Sequence, residues 1–292
     1  MIWDMVGDIL MSALRLSVPI LFAAFGGLLS ERSGIANIAL EANLLFSAFV
    51  GAAVTALTGD VWVGAFAGIA ASVVVGFLFG SVCIWGRGDQ IVIGTAFNLL
   101  AFGLIPVFTK ALFNVTGSTP ALSTEQTFHQ PLVFFALAIM VMFSLEILFR
   151  FTRHGLRVTA AGENPAALLT QGVNHNLVRL RAVTEGAVLT GLGGVYLSLC
   201  QGSGYIREMS AGRGFIALAA LIFGGWRPLP TFAACFFFAI ADAIQMQLQG
   251  QKIAEVTVPN QFIQILPYVA TLFVLIFYAT RMRAPAAINR DF

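Results

Sequence analysis

The chain is 292 residues long, 58% hydrophobic and only 10% charged, where an ordinary soluble domain carries roughly 25% charged residues. That balance excludes a water-soluble globular fold, and a net charge of +2 spread among loops gives nucleic-acid binding no footing. Cys83, Cys200 and Cys235 are odd in number and lie in apolar runs, so they read as small packing residues, not as a disulfide frame or a metal site.

The first stretch, with Asp4 and Asp8 and no basic residue before Arg15, lacks the positive start of a cleaved signal. Apolar stretches follow at 9–29, 38–57, 61–85, 91–113, 132–149, 182–200, 231–249 and 262–280. Each reaches about the 20 residues needed to cross a ~30 Å hydrocarbon layer. A shorter stretch, 214–224, lies between two glycine-rich turns. Together they predict an all-α, polytopic transmembrane helical bundle of about nine spans (eight to ten), forming a single transmembrane domain over residues 1–292.

Lys and Arg concentrate in short cytoplasmic loops. The 150–181 loop carries Arg150, Arg153, Arg157, Arg179 and Arg181, and the tail carries Arg281, Arg283 and Arg290, so both are expected in the cytoplasm. The 114–131 loop has no Lys or Arg and is expected outside. Counting crossings then puts the N-terminus outside and the C-terminus inside and makes 214–224 a true, if short, crossing, the alternative being that residues 201–224 form a pair of half-helices that turn back within the membrane. Arg207 and Arg213, in an outside loop, are the exception to the rule.

Two segments share a pattern. GIANIALEANLL at 34–45 and GRGFIALAALIF at 212–223 both place Ile-Ala-Leu four residues after a glycine. They enter from opposite sides, as in an inverted repeat enclosing a central path. Chance similarity between apolar sequences is the competing explanation.

A charged side chain at mid-bilayer costs from ~2.5 to over 10 kcal/mol, so such residues face protein or water. Glu41, Glu146, Glu185 and Asp242 fall in the spans, accompanied by Asn37, Asn43, Asn98 and Gln245. The bland alternative is interhelical hydrogen bonding worth about 0.6 kcal/mol each. Glu146 has Arg150 four residues on and needs no more than that pair. Asp242 and Gln245 lie three apart on one helical face, and Gly34 lets the backbone unwind beside Asn37 and Glu41. The candidates for a substrate pathway are therefore Asn37, Glu41, Asn43, Asn98, Asp242 and Gln245. His129, His154 and His175 lie in loops and are expected to be solvated.

Within 150–181, Asn164-Pro165 reads as a helix start, with Asn as N-cap and Pro at the first helical position. Gly172 reads as the stop. A helix of about two turns is unstable alone and suits docking into a groove of another protein. The chain has no G-x-x-x-x-G-K-[ST] loop, so it supplies no ATP site. GxGxxA at 212–217 adjoins a membrane span and does not follow a soluble strand, which rejects a dinucleotide fold.

SGIANIALEANLL at 33–45, GLRVTAAGENPAALLTQGVN at 155–174 and GRGFIALAALIFGGWRP at 212–228 resemble the permease subunits of bacterial ABC importers, in the branch with ribose and nucleoside permeases. The third stretch is most similar to the nucleoside type. Ala42 in place of the usual glycine, and Glu185 in place of a small residue, depart from the pattern. The resemblance implies a bacterial inner-membrane subunit that imports a nucleoside or similar ribosyl compound by alternating access. It implies a second permease, a copy or a different chain, two cytoplasmic ATPases that hold ATP-Mg, and an external substrate-binding protein. No cofactor is expected in this chain. Gly162, Glu163, Asn164, Pro165, Ala166 and Ala167 would form the coupling helix that enters the ATPase groove. The alternatives are the same machinery carrying riboflavin or a simple sugar, and a proton-coupled secondary transporter using Glu41 or Asp242. A membrane enzyme is weaker, because the three histidines do not share a site.

Overall fold

The computed structural model describes residues 2–248, 252–253, 256–257 and 284–288. Apart from a two-residue antiparallel ladder, Lys252–Ile253 against Val256–Thr257, the regular structure among them is helical. The helices are α1 (Ile2–Arg32), α2 (Leu40–Thr58), α3 (Val61–Trp85), α4 (Gln90–Phe113), α5 (Pro131–Phe151), α6 (Arg153–Glu163), α7 (Pro165–Thr170), α8 (His175–Tyr196), α9 (Arg213–Phe223) and α10 (Pro228–Leu248). A π-turn, Leu197–Gln201, extends α8.

Local chemistry starts several of these helices. The Asp60 carboxylate accepts the Trp62 and Val63 N–H groups to open α3. Asp89 and Asn174 do the same for α4 and α8. These side chains take up donors that the first turn leaves without an intrahelical partner.

Seven helices are long and apolar enough to cross a membrane, α1 to α5, α8 and α10. The protein is a multi-pass membrane protein. The expected crossing at 262–280 lies outside the described residues, so nine spans are not reached among them. α8 begins at His175, seven residues before the expected 182, because Asn174 caps it there. Likewise α6 folds where the sequence suggested loop, burying Val158 and Ala161.

The stretch expected at 214–224 forms a helix with nearly those bounds, which is too short to cross by itself. Its helix, α9, has 11 residues, about 16 Å at 1.5 Å per residue and roughly half of the ~30 Å hydrocarbon layer. The chain nevertheless travels the full depth of the bundle. At one end, Thr119 N–H bonds the Tyr205 carbonyl and Leu122 N–H bonds the Ser203 carbonyl, each at 3.0 Å. At the other, where α6 and α7 lie, Trp226 donates its indole N–H to buried Glu31 at 2.6 Å. Irregular backbone thus covers the first half of this passage and α9 the second. Such backbone persists at membrane depth only when wrapped in protein.

α1 and α8 form the centre, with α2 and α3 packed on one side and α5, α9 and α10 on the other. Gly26 of α1 and Gly186 of α8 meet backbone to backbone, and a Cβ on either would overlap the other's carbonyl. Lipid supplies no hydrophobic drive between helices, so close approach of small residues takes its place.

Candidate functional site

Several side-chain hydrogen bonds converge on the start of α2 in the apolar interior. Glu41, only 2% exposed, accepts the Ser210 hydroxyl at 2.5 Å, the Gly212 N–H at 2.9 Å and the Gly214 N–H at 2.7 Å. The two N–H donors belong to the N-cap and first turn of α9, and Ser210 lies just before them. A carboxylate is favoured there because unpaired N–H groups and the helix dipole both present positive charge. Gly214 is required for this fit, since a Cβ would come within 2.6 Å of the Glu41 nitrogen. The two Ile-Ala-Leu segments therefore meet at their helix starts, with Glu41 as the clasp between them.

The same turn is held from its other side by α4. Asn98 accepts the Ala42 N–H and donates to the Ile38 carbonyl, both at 2.9 Å, and Gln90 accepts the Ala36 N–H at 2.6 Å. Asn37 and Asn43 differ from these. Both are fully buried, and none of their side-chain polar atoms has a hydrogen-bond partner among the described residues. Leaving such a group unmatched costs about 1–3 kcal/mol.

Asp242 and Gln245 stand elsewhere, half-buried on α10. Asp242 faces the charge of Arg213 and lies one turn from Met246. Met246 helps line a cavity of about 570 Å³ that also takes in Arg15, Tyr196, Cys200, Gln201 and His129. Its size falls in the ~300–1,000 Å³ range of small-molecule sites, and it mixes apolar walls with a few polar groups as such sites do. His129 is part of this wall. The structure thus divides the six candidates into a clasp region (Asn37, Glu41, Asn43, Asn98) and a separate pair on α10 (Asp242, Gln245).

At the opposite end, α7 forms as expected, with Pro165 in its first turn and Gly172 in a left-handed conformation (φ 71°) at its stop. One detail is corrected: the Asn164 side chain makes no capping bond, and its backbone carbonyl receives the Ala167 N–H instead. Leu168 is buried and pins α7 to the bundle. Glu163, Asn164, Ala166 and Ala167 are exposed, as is Leu169 at 56%. Gly162 is buried at the junction with α6, where its carbonyl accepts the Ala287 N–H at 2.8 Å. Tail residues 284–288 therefore share the α7 end of the bundle.

Residues 9–276 match the protein family described as branched-chain amino acid transport system / permease component. The chain belongs to that permease family. It is 29% identical to the guanosine ABC transporter permease protein NupQ of Bacillus subtilis (strain 168), over 93% of this chain and 92% of the relative. It is 32% identical to the nucleoside ABC transporter permease protein NupC of Lactococcus lactis subsp. cremoris, again over 93% and 92%. A relative from Haloferax volcanii, 28% identical over 97% of each chain, carries a provisional name as a glucose ABC transporter permease protein. No solved structure matches the chain.

Three features of the permease were not read from its sequence. Arg179, counted among the cytoplasmic arginines, is wholly buried. Glu31 receives the Trp226 indole across 195 positions of sequence, and nothing local to either residue announces it. His154, expected to be solvated, bonds Glu185 at 2.8 Å, and Glu185 also accepts from Arg181 at 2.7 Å. The Arg181–Glu185 spacing of four was a legible signal for half of that network.

Proposed function

We propose that this permease is the membrane subunit of an ATP-driven importer that brings nucleosides into the bacterial cytoplasm by alternating access. The observation that carries the proposal is α7, a six-residue helix anchored by one buried leucine and presenting Leu169 outward. So short a helix gains little stability from itself, and an exposed apolar side chain on it suits a groove in a partner. The partners are two ATPase subunits, which hold ATP-Mg, a second permease and an external binding protein. The nucleoside assignment draws support from the guanosine and nucleoside permeases among the relatives.

In this reading the α7 end is cytoplasmic and the cavity beside Arg15 opens to the outside. Substrate enters at the cavity and passes Asp242 and Gln245, while the clasp at Glu41 sets the register of two oppositely directed half-structures. Asn37 and Asn43, the buried amides left over, are the polar groups in reach of a passing hydroxyl or base edge when the helices rearrange. Such contacts must be weak enough to release what they admit, as in channels.

Two measurements test it. Leu169→Asp is expected to abolish ATPase association and uptake while leaving the permease folded; normal ATP-dependent uptake in that variant would refute the docking role. Thermal-shift screening of the cognate binding protein against nucleosides, riboflavin, pentoses and glucose tests the cargo. Stabilisation by guanosine or another nucleoside is expected, and a response confined to a sugar would move the assignment to sugar import.

A further inference from the structure

Arg179, early in α8, is wholly buried. Its Nε donates to the Ser33 carbonyl at 3.0 Å and a terminal nitrogen donates to the Ala161 carbonyl at 2.9 Å. Ser33 belongs to the turn between α1 and α2, and Ala161 to the last turn of α6. One guanidinium therefore ties three segments together. The backbones crowd at the same place: a Cβ on Gly162 would overlap the Arg32 carbonyl, and a Cβ on Gly34 would lie 3.4 Å from the Gly162 Cα.

Sequence distance from this junction to the functional parts is small on both sides. Gly162 is followed within three residues by α7. Ser33 is followed, after one turn, by α2 and the Glu41 clasp to α9. Removing a guanidinium from water costs several kcal/mol even after relaxation, and an apolar side chain of similar volume would often serve stability as well or better. A rigid, planar donor fork in that position does something an apolar plug cannot, which is to fix two carbonyls from different segments at set distances.

We propose that Arg179 is the strut that carries displacement of α7 into the α2–Glu41–α9 clasp. It is a positioning residue for transport and does not touch the substrate. The proposal rests on the importer reading above and adds the route by which ATPase motion reaches the membrane interior. That route is contiguous: α7, Gly162, Arg179, the 33–39 turn, Glu41, α9.

The test uses the complete importer in proteoliposomes, with uptake and ATP hydrolysis measured together for wild type, Arg179→Lys and Arg179→Met. Lys keeps the charge without the planar fork, and Met keeps bulk without donors. Both variants are expected to assemble and hydrolyse ATP at the basal rate, while solute moved per ATP falls about tenfold or more, within the ~5–150-fold usual for coupled sites. Arg87→Gln, in the turn between α3 and α4, is expected to leave the ratio unchanged. An unchanged ratio in both Arg179 variants would overturn the proposal. So would a proportional loss of uptake and hydrolysis, or failure of both variants to assemble, since each makes Arg179 a folding element. The ratio is read with whichever solute wild type carries. Wild type that ignores nucleosides and imports another solute would sink the nucleoside assignment and leave the strut standing, whereas uptake indifferent to ATP would sink both.

Discussion

Glu41 and Asp242 are both carboxylates in apolar helices, and their surroundings could hardly differ more. Glu41 is 2% exposed and has three donors from one short stretch of backbone and a serine. Asp242 is half-buried, faces Arg213 across the helix packing and has no hydrogen bond among the described residues. The difference lies in what each helix meets. A helix start offers N–H groups that need acceptors, so a carboxylate opposite one becomes structural. The flank of α10 offers none, so Asp242 has only the charge of Arg213 to answer it. A buried charge is thus a functional candidate in proportion to what its neighbours leave undone.

That comparison can be broken by stability measurements on the purified permease. The largest effect is expected for Glu41→Ala, which strands three donors at about 1–3 kcal/mol each; a melting temperature near that of wild type would end the clasp account. Gly214→Ala should follow, at about 1–3 kcal/mol, because the new methyl group collides with α2. Asn98→Leu strands the Ala42 N–H and the Ile38 carbonyl, and about 1–3 kcal/mol is again expected. Asp242→Asn should be smallest, within about 0.5 kcal/mol, as is usual for sites outside such networks. Its effect should appear in uptake instead. Asp242→Asn as destabilising as Glu41→Ala would erase the distinction drawn between the two regions.

How much of this was legible depends on the reach of each interaction. The long helices followed from apolar length, and the α7 start and stop followed from Pro165 and Gly172, whose effects are local. The Glu146–Arg150 pair, at 2.5 Å, followed from a spacing of four. The Glu41 clasp joins residues 169 to 173 positions apart, and the Arg179–Ser33 bond spans 146. No spacing rule reaches so far. The sequence marked Glu41 as costly and in need of a partner, but the partner sits in a glycine-rich turn that reads as a loop. The length of α9 was legible, since 214–224 is matched by Arg213–Phe223, but the irregular backbone that precedes it was not: hydropathy reports which residues avoid water, and such backbone wrapped in protein avoids it as well as a helix does.

The most direct test of the whole account is the side of the membrane from which α7 is reached. Leu169→Cys, in a chain with Cys83, Cys200 and Cys235 changed to Ala, would be treated with a membrane-impermeant maleimide. The account predicts no labelling in intact cells, labelling in inverted vesicles stripped of ATPase subunits, and protection when those subunits are restored. Labelling from outside intact cells would contradict it.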